Sequence, residues 1–227
     1  RRLLLDARRR MIQEFAATDR ALASVSADDA GARAAAYASI FRERGLSSDT
    51  SILSDYSVGA ALEAIRQQGT ISPRAVRRAA IVGPGLDFTN KADGYDFYPQ
   101  QTIQPFALID TLRRTGLAAP DLRVTTFDIS DRVNEHIRAM SVRAASPGGY
   151  VLTLPLDGNE PWTPALLEYW KSFGREVGDE AAAVRPPASA GNVLVRAVRV
   201  RPEVIQSIAA RDVNIDVDRL PPGADVR

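Results

Sequence analysis

The sequence predicts an α/β fold around a parallel sheet of the nucleotide-binding type, and three observations within residues 77–128 support this. An apolar run at residues 79–82 is followed by the glycine-rich turn Gly83-Pro84-Gly85. A helix is predicted over residues 102–115, where apolar side chains recur at spacings of three and four. A β-branched run at residues 122–128 then ends in an acid. Strand, glycine turn, helix and acid-tipped strand are typical of the first βαβ unit of such a sheet.

Each part of this unit has a physical purpose. Gly83 and Gly85 allow the backbone to turn sharply and to approach a ligand where a Cβ would clash. Asp128, the acid at the end of the second strand, can accept hydrogen bonds from the two hydroxyls of a ribose. Gly-Pro-Gly also occurs in ordinary turns, so a plain βα turn in another α/β fold is the alternative interpretation.

The rest of the chain divides around this unit. Residues 1–70 are predicted to form an N-terminal helical cap, because apolar side chains recur there at helical spacing. The sheet domain is predicted over residues 71–227, with an insertion at about 155–190. Within that insertion the alanine- and proline-rich residues 178–191 predict a surface loop.

Two further features concern candidate functional residues. Residues 89–105 are dense in aromatic and polar side chains and follow the glycine turn directly, which favours a lid or a wall of a ligand pocket. The alternative is a structural loop whose aromatic side chains fill the core. His136 lies off the apolar stripe of a helix predicted over residues 131–140, so we expect a surface or capping residue rather than a base.

Composition excludes several classes of function. The 227 residues include no cysteine, which excludes disulfides, thiolate catalysis and zinc–cysteine sites. A single histidine excludes a multi-histidine metal site within one chain, and we predict no metal. The formal net charge of +1 indicates neither nucleic acid nor a membrane surface as partner. No apolar run of about 18 residues is present, so we expect no membrane span. We separately expect a cytoplasmic chain.

Three stretches carry a family resemblance. Residues 80–85 (Ala-Ile-Val-Gly-Pro-Gly) resemble the first motif of class I S-adenosylmethionine-dependent methyltransferases, especially the chemotaxis-receptor branch. Residues 124–133 resemble the second strand and the following helix start of these enzymes. Residues 211–222 resemble the segment that lies against the adenine ring. The resemblance implies a Rossmann-like parallel sheet, of which this chain holds the first half, and methyl transfer from S-adenosylmethionine to an unknown acceptor.

The resemblance also implies contacts for this small-molecule methyl donor. The backbone at Gly83 and Gly85 is implied for its amino-acid part and Asp128 for its ribose hydroxyls. Asn214 and Ile215 are implied beside the adenine. Weaker pocket contacts are implied for Asp87 and Tyr95. No catalytic side chain is assigned, because the methyl carbon is already electrophilic and the protein mainly has to align donor and acceptor.

The sequence departs from the family pattern at several points. The acid expected two residues before the first glycine is Ile81, and the expected third glycine is Asp87, which could replace that acid. Gly85 and Asp128 are 43 positions apart (128 − 85), against about 20 in a minimal unit. The chain starts at Arg1 and stops where the family has its fourth strand, so we expect a fragment, with a curtailed fold as the alternative.

Two other functions compete with methyl transfer. A non-catalytic module could retain the sheet and bind a nucleotide-like ligand or another protein, which the altered glycine motif favours. A nicotinamide-dependent oxidoreductase would require Gly-x-Gly-x-x-Gly, and Phe88 at the third glycine position argues against it.

Overall fold

The computed structural model describes residues 52–87, 98–157, 163–185 and 193–213, together with a few positions between 16 and 32. The helices of these ranges are α1 (Ile52–Gln67), α2 (Gln104–Arg114), α3 (Asp131–Ala144), α4 (Pro164–Ser172) and α5 (Pro202–Ile205). The strands are β1 (Val76–Val82), β2 (Ala118–Asp128), β3 (Tyr150–Asp157), β4 (Gly178–Ala181), β5 (Val193–Val200) and β6 (Ile208–Asp212).

The protein is a mixed α/β structure whose first sheet is parallel. Its three strands lie in the order β1-β2-β6, with β2 in the centre. Val82 at the end of β1 pairs with Phe127, and Asp128 at the end of β2 pairs with Asp212 at the end of β6. Because parallel strands place their carboxyl ends at one edge, the glycine turn, Asp128 and Asp212 all lie at that edge. The predicted strand, helix, strand and helix around the glycine turn are confirmed as β1, α2, β2 and α3.

A second, antiparallel sheet lies between α3 and β6 in the sequence, with strand order β3-β5-β4. In the central strand β5, Val200 pairs with Tyr150 of β3 on one side and with Gly178 of β4 on the other. The prediction of a loop over residues 178–191 was therefore wrong at its start, where residues 178–181 form β4. Composition could not show this strand, since four residues with one glycine and two acids carry no β-propensity of their own.

One hydrophobic core joins the two sheets. Its fully buried side chains include Phe106 of α2, Val124 of β2, Leu152 of β3 and Trp170 of α4. The amphipathic helices α2 and α3 bury their apolar faces against β2, and α3 also contacts β3 and β6. Within the described ranges, no helix has both the length and the apolar character that crossing a membrane requires.

Gly178→Ala is expected to destabilise the protein by about 3 kcal/mol, because β4 and β5 approach too closely for a side chain. A Cβ at this position would stand 2.6 Å from Val198 Cγ1 and would overlap the Arg199 carbonyl oxygen, which backbone pairing holds in place. Urea denaturation of both chains measures the change. Gly148→Ala is the control, since a Cβ there meets nothing within 4 Å. Equal stability of the two variants would contradict this account of the pairing.

Candidate functional site

The glycine turn at the end of β1 adopts a backbone that other residues rarely take. Gly83 has a φ of +66° and Gly85 a φ of +62°, both in the left-handed region. The Gly83 N–H donates to the Phe127 carbonyl at 2.8 Å, so the turn starts from the β1–β2 ladder. Gly83 is exposed and a Cβ there would meet nothing within 4 Å, whereas Gly85 is buried. The turn thus presents open space above Gly83 and anchors itself through Gly85.

Asp128 lies at the tip of the central strand and meets this turn. Its carboxylate accepts hydrogen bonds from the backbone N–H groups of Ser130, Gly85 and Ile129, with the Ser130 N–H at 2.8 Å. The 43-residue separation in sequence is closed by the parallel pairing of β1 with β2. Gly85 and Asp128, which the sequence predicted to converge, are therefore in direct contact.

The backbone of Asp128 also ties neighbouring elements together. Its carbonyl accepts from Asn134 Nδ2 at 2.9 Å, which fixes the start of α3, and from the Val213 N–H at 3.3 Å, which fixes the chain after β6. Asp128 thus connects the carboxyl ends of all three parallel strands. The buried Asn134 was not singled out in the sequence, because its bond to Asp128 spans six positions, more than the usual local side-chain-to-backbone patterns do.

The electrostatics of Asp128 reflect competing influences. Burial raises the pKa of its carboxyl, and the charge of Asp212 across the ladder raises it further. The three backbone N–H groups act in the opposite direction by stabilising the carboxylate. With three acceptor positions used out of about four, the carboxylate retains capacity for roughly one more donor.

Asp87 lies behind the turn rather than at its exposed side. Its side chain is 2% exposed, and its Oδ2 accepts from the Ile103 N–H, the residue that caps α2, at 2.5 Å. Its own N–H donates to the Gln101 carbonyl at 2.8 Å in an antiparallel bridge. Asp87 therefore closes the base of the loop that the sequence singled out and stabilises the positive end of α2.

Most of the described part of that loop is buried, although Pro99 is exposed. Tyr98 is 4% exposed, and the Gln101 side chain forms two hydrogen bonds with the backbone of Thr153 in β3, at 2.7 and 2.8 Å. The side-chain amide of Gln101 thereby pairs with the backbone of β3 in the way that a neighbouring strand would. The sequence analysis did not single out Gln101 within residues 89–105, because its partner lies 52 positions away.

His136 is buried, so the expectation of a surface or capping residue was wrong. Its side chain is 5% exposed and its Nε2 lies 2.9 Å from Tyr150 Oη, which also accepts from the Thr102 N–H. Burial lowers the pKa of His136 to about 4, with the charges of Arg143 and Arg132 adding to the effect. His136 is therefore neutral at physiological pH. The second sheet, which the helical periodicity of α3 does not reveal, covers this side of the helix.

The remaining candidates lie outside the described residues. Asn214 and Ile215, implied beside the adenine, follow directly after the last described position, and Tyr95 falls in the undescribed part of the loop. Among the described residues, no group of three His, Asp or Glu side chains is placed to hold a metal ion.

The described site thus consists of a left-handed glycine turn, a half-buried carboxylate in contact with it, and open space above Gly83. Comparison of the chain with family models, with curated proteins and with solved structures gives no match.

Proposed function

We propose that this chain has a Rossmann-like sheet, binds S-adenosylmethionine at the carboxyl edge of that sheet and transfers its methyl group to an acceptor. The observation that carries the proposal is the contact between the Gly85 N–H and the Asp128 carboxylate. It joins a glycine turn to an acid-tipped strand at the edge where α/β sheets bind nucleotide-like ligands.

The residues at this edge fit such a donor. The exposed Gly83 leaves room for a ligand to approach the backbone closely, which a side chain would prevent. Asp128 retains an acceptor position for a ribose hydroxyl while its other positions hold the turn. When bound, the donor supplies an electrophilic methyl carbon on its sulfonium sulfur, and that sulfur keeps the bonding electron pair when the acceptor takes the methyl group. The chain itself positions the donor and excludes water, and it needs no nucleophile of its own.

A non-catalytic module is the second candidate, and one observation favours it. Asp128 already receives hydrogen bonds from Ser130, Gly85 and Ile129, so it stabilises the fold whether or not a ligand binds. A carboxylate with this structural role could persist in a domain that binds no donor and instead contacts another protein.

Isothermal titration calorimetry of the full chain distinguishes these candidates. We expect heat of binding from S-adenosylmethionine and from its demethylated product S-adenosylhomocysteine, and none from NAD. Binding of NAD alone would favour a nicotinamide-dependent enzyme. The absence of heat from all three ligands would favour the non-catalytic module and would overturn the proposal.

A further inference from the structure

The two faces of the parallel sheet β1-β2-β6 differ in what covers them. Successive side chains of a strand point to opposite faces, and residues paired across parallel strands share a face. Ile81, Val124 and Ile208 point to one face, where they join the hydrophobic core together with the apolar side chains of α2 and α3. Of the other described helices, α1 packs on α2 and α4, and α5 packs on α3. The described helices therefore leave the opposite face of the sheet without a covering layer.

That opposite face, here called the outer face, is largely exposed to solvent. Its side chains are those of Arg78, Ala80, Val82, Arg123, Thr125, Phe127, Ala209 and Arg211. None of them belongs to the hydrophobic core, and all are exposed except the half-buried Thr125 and the buried Phe127. Val82 is 56% exposed, which is unusual for a strand residue of a parallel sheet. Because parallel sheets normally have both faces covered, the outer face is a candidate docking surface.

The charge of the outer face is positive. Arg78 of β1 and Arg123 of β2 pair in register, so their side chains are neighbours, and Arg211 of β6 adds a third guanidinium. Arg123 Nη1 donates to the Gln206 carbonyl at 3.0 Å, which leaves most of its donors unused. Within the described ranges, none of these three arginines has an acidic partner. Like charges side by side on adjacent strands are unfavourable, and an anionic partner would relieve that repulsion.

Small and apolar side chains lie between the arginines. Ala80, Thr125 and Ala209 pair in register across the three strands, and the exposed Val82 follows towards the carboxyl edge. Helices are the usual cover of a parallel sheet, and small side chains allow a helix to approach closely. The partner that fits this face is therefore apolar along its centre and acidic along its flanks.

Two other occupants fit less well. A second copy that presents the same face would bring arginine against arginine, which is unfavourable at an interface. A nucleic acid would satisfy the arginines through its phosphates but would offer little apolar surface to Val82. The formal net charge of the chain is only +1, so a strong general attraction for nucleic acid is not expected either.

We propose that the outer face docks an acidic amphipathic helix of a partner protein. The apolar side of that helix lies on Ala80, Val82 and Ala209, and its Asp and Glu side chains pair with the arginines. The inference does not depend on methyl transfer, since none of these residues is assigned to the donor.

Fluorescence anisotropy with the full chain tests this surface. The probe is a dye-labelled amphipathic peptide of leucine, alanine and glutamate, about 20 residues long so that it forms a helix by itself. We expect it to bind the wild type and to bind more weakly as the salt concentration rises, because exposed ion pairs are screened. The same peptide with lysine in place of glutamate should not bind.

The double variant Arg78→Gln/Arg123→Gln is expected to weaken peptide binding about fivefold, the size expected for two exposed ion pairs. Arg211→Gln should show a smaller loss in the same direction. The matched control is Arg138→Gln/Arg143→Gln, which removes two exposed arginines from α3 and should change the affinity by less than about twofold.

Each other outcome contradicts the inference. A wild-type chain that does not bind the glutamate peptide shows that the outer face is covered by other residues of the chain or docks no such helix. Equal losses in the two double variants show that net charge alone attracts the peptide. Tighter binding of a single-stranded oligonucleotide at the same arginines assigns the face to nucleic acid. A dimer in sedimentation that Val82→Glu dissociates assigns it to a second copy.

Discussion

Asp128→Ala is expected to weaken S-adenosylhomocysteine binding about tenfold to a hundredfold and to lower the free energy of unfolding by about 2 kcal/mol. The binding loss follows from removing an acceptor for the ribose hydroxyls, worth about 1–3 kcal/mol. The stability loss follows because the N–H groups of Ser130, Gly85 and Ile129 lose the carboxylate that accepts from them. Calorimetry measures the first effect and urea denaturation the second.

Asp212→Ala is the matched control for this prediction, since it removes the same charge from the tip of the adjacent strand. Asp212 is exposed, so its removal should change stability by less than about 0.5 kcal/mol. Asp128→Asn separates the two functions of Asp128, because the amide keeps one oxygen to accept from the turn but loses the charge. Full ligand affinity in Asp128→Ala would remove the ribose assignment and leave Asp128 a structural residue only.

The parallel sheet and its helices could be predicted because their signals are local. The apolar periodicity of α2 and the β-branched run of β2 each determine an element from consecutive residues. The contact between Gly85 and Asp128 then follows from topology, since adjacent parallel strands place their carboxyl ends together. This is why two residues 43 positions apart were correctly expected to meet.

The interactions that sequence reasoning missed depend on partners distant in the chain. β4 is a strand because β5 pairs with it, and Gln101 is held by the backbone of Thr153. His136 is buried because Tyr150 of the second sheet covers its side of α3. The sequence predicted a helical cap over residues 1–70 but not that Asp55 of α1 would line a cleft beside β1. Periodicity identifies an apolar face, and only the packed fold shows which polar groups that face buries.

The buried acids Asp55 and Asp110 are expected to make the protein less stable as the pH rises from about 4 to about 7. Burial raises the pKa of Asp55 to about 7 and that of Asp110 to about 6, from an ordinary value of 3.8. The folded state therefore binds these protons more tightly than the unfolded state, and the stability they contribute at low pH is lost as each acid ionises. For Asp110, hydrogen bonds from the backbone N–H groups of Glu176 and Gly174 limit the rise in pKa.

His136 opposes this trend, so the wild-type curve alone does not isolate the acids. Its pKa is lowered to about 4 from 6.5, and the folded state therefore favours the neutral ring. That contribution is complete above pH 6.5 and is lost as the pH falls towards 4. Between about pH 4 and pH 7, His136 and the two acids change the free energy of unfolding in opposite directions. A nearly flat curve of this free energy against pH is therefore compatible with large individual effects.

In a comparison of Asp55→Asn with the wild type, the contribution of His136 to the free energy of unfolding cancels, since both chains carry this histidine. Asparagine resembles the protonated acid in shape and does not ionise. The variant should match the wild type near pH 4 and exceed its free energy of unfolding by about 4 kcal/mol near pH 8, at about 1.4 kcal/mol for each unit of raised pKa. Among the described residues, the Tyr169 hydroxyl of α4 lies close enough to sense the charges of Asp55 and Asp110, and Gln104 of α2 lines the same cleft as Asp55. All three groups are the same in both chains. Urea denaturation at half-unit steps of pH measures the difference.

A difference between the two free energies of unfolding that is independent of pH would show that Asp55 is not buried as an acid.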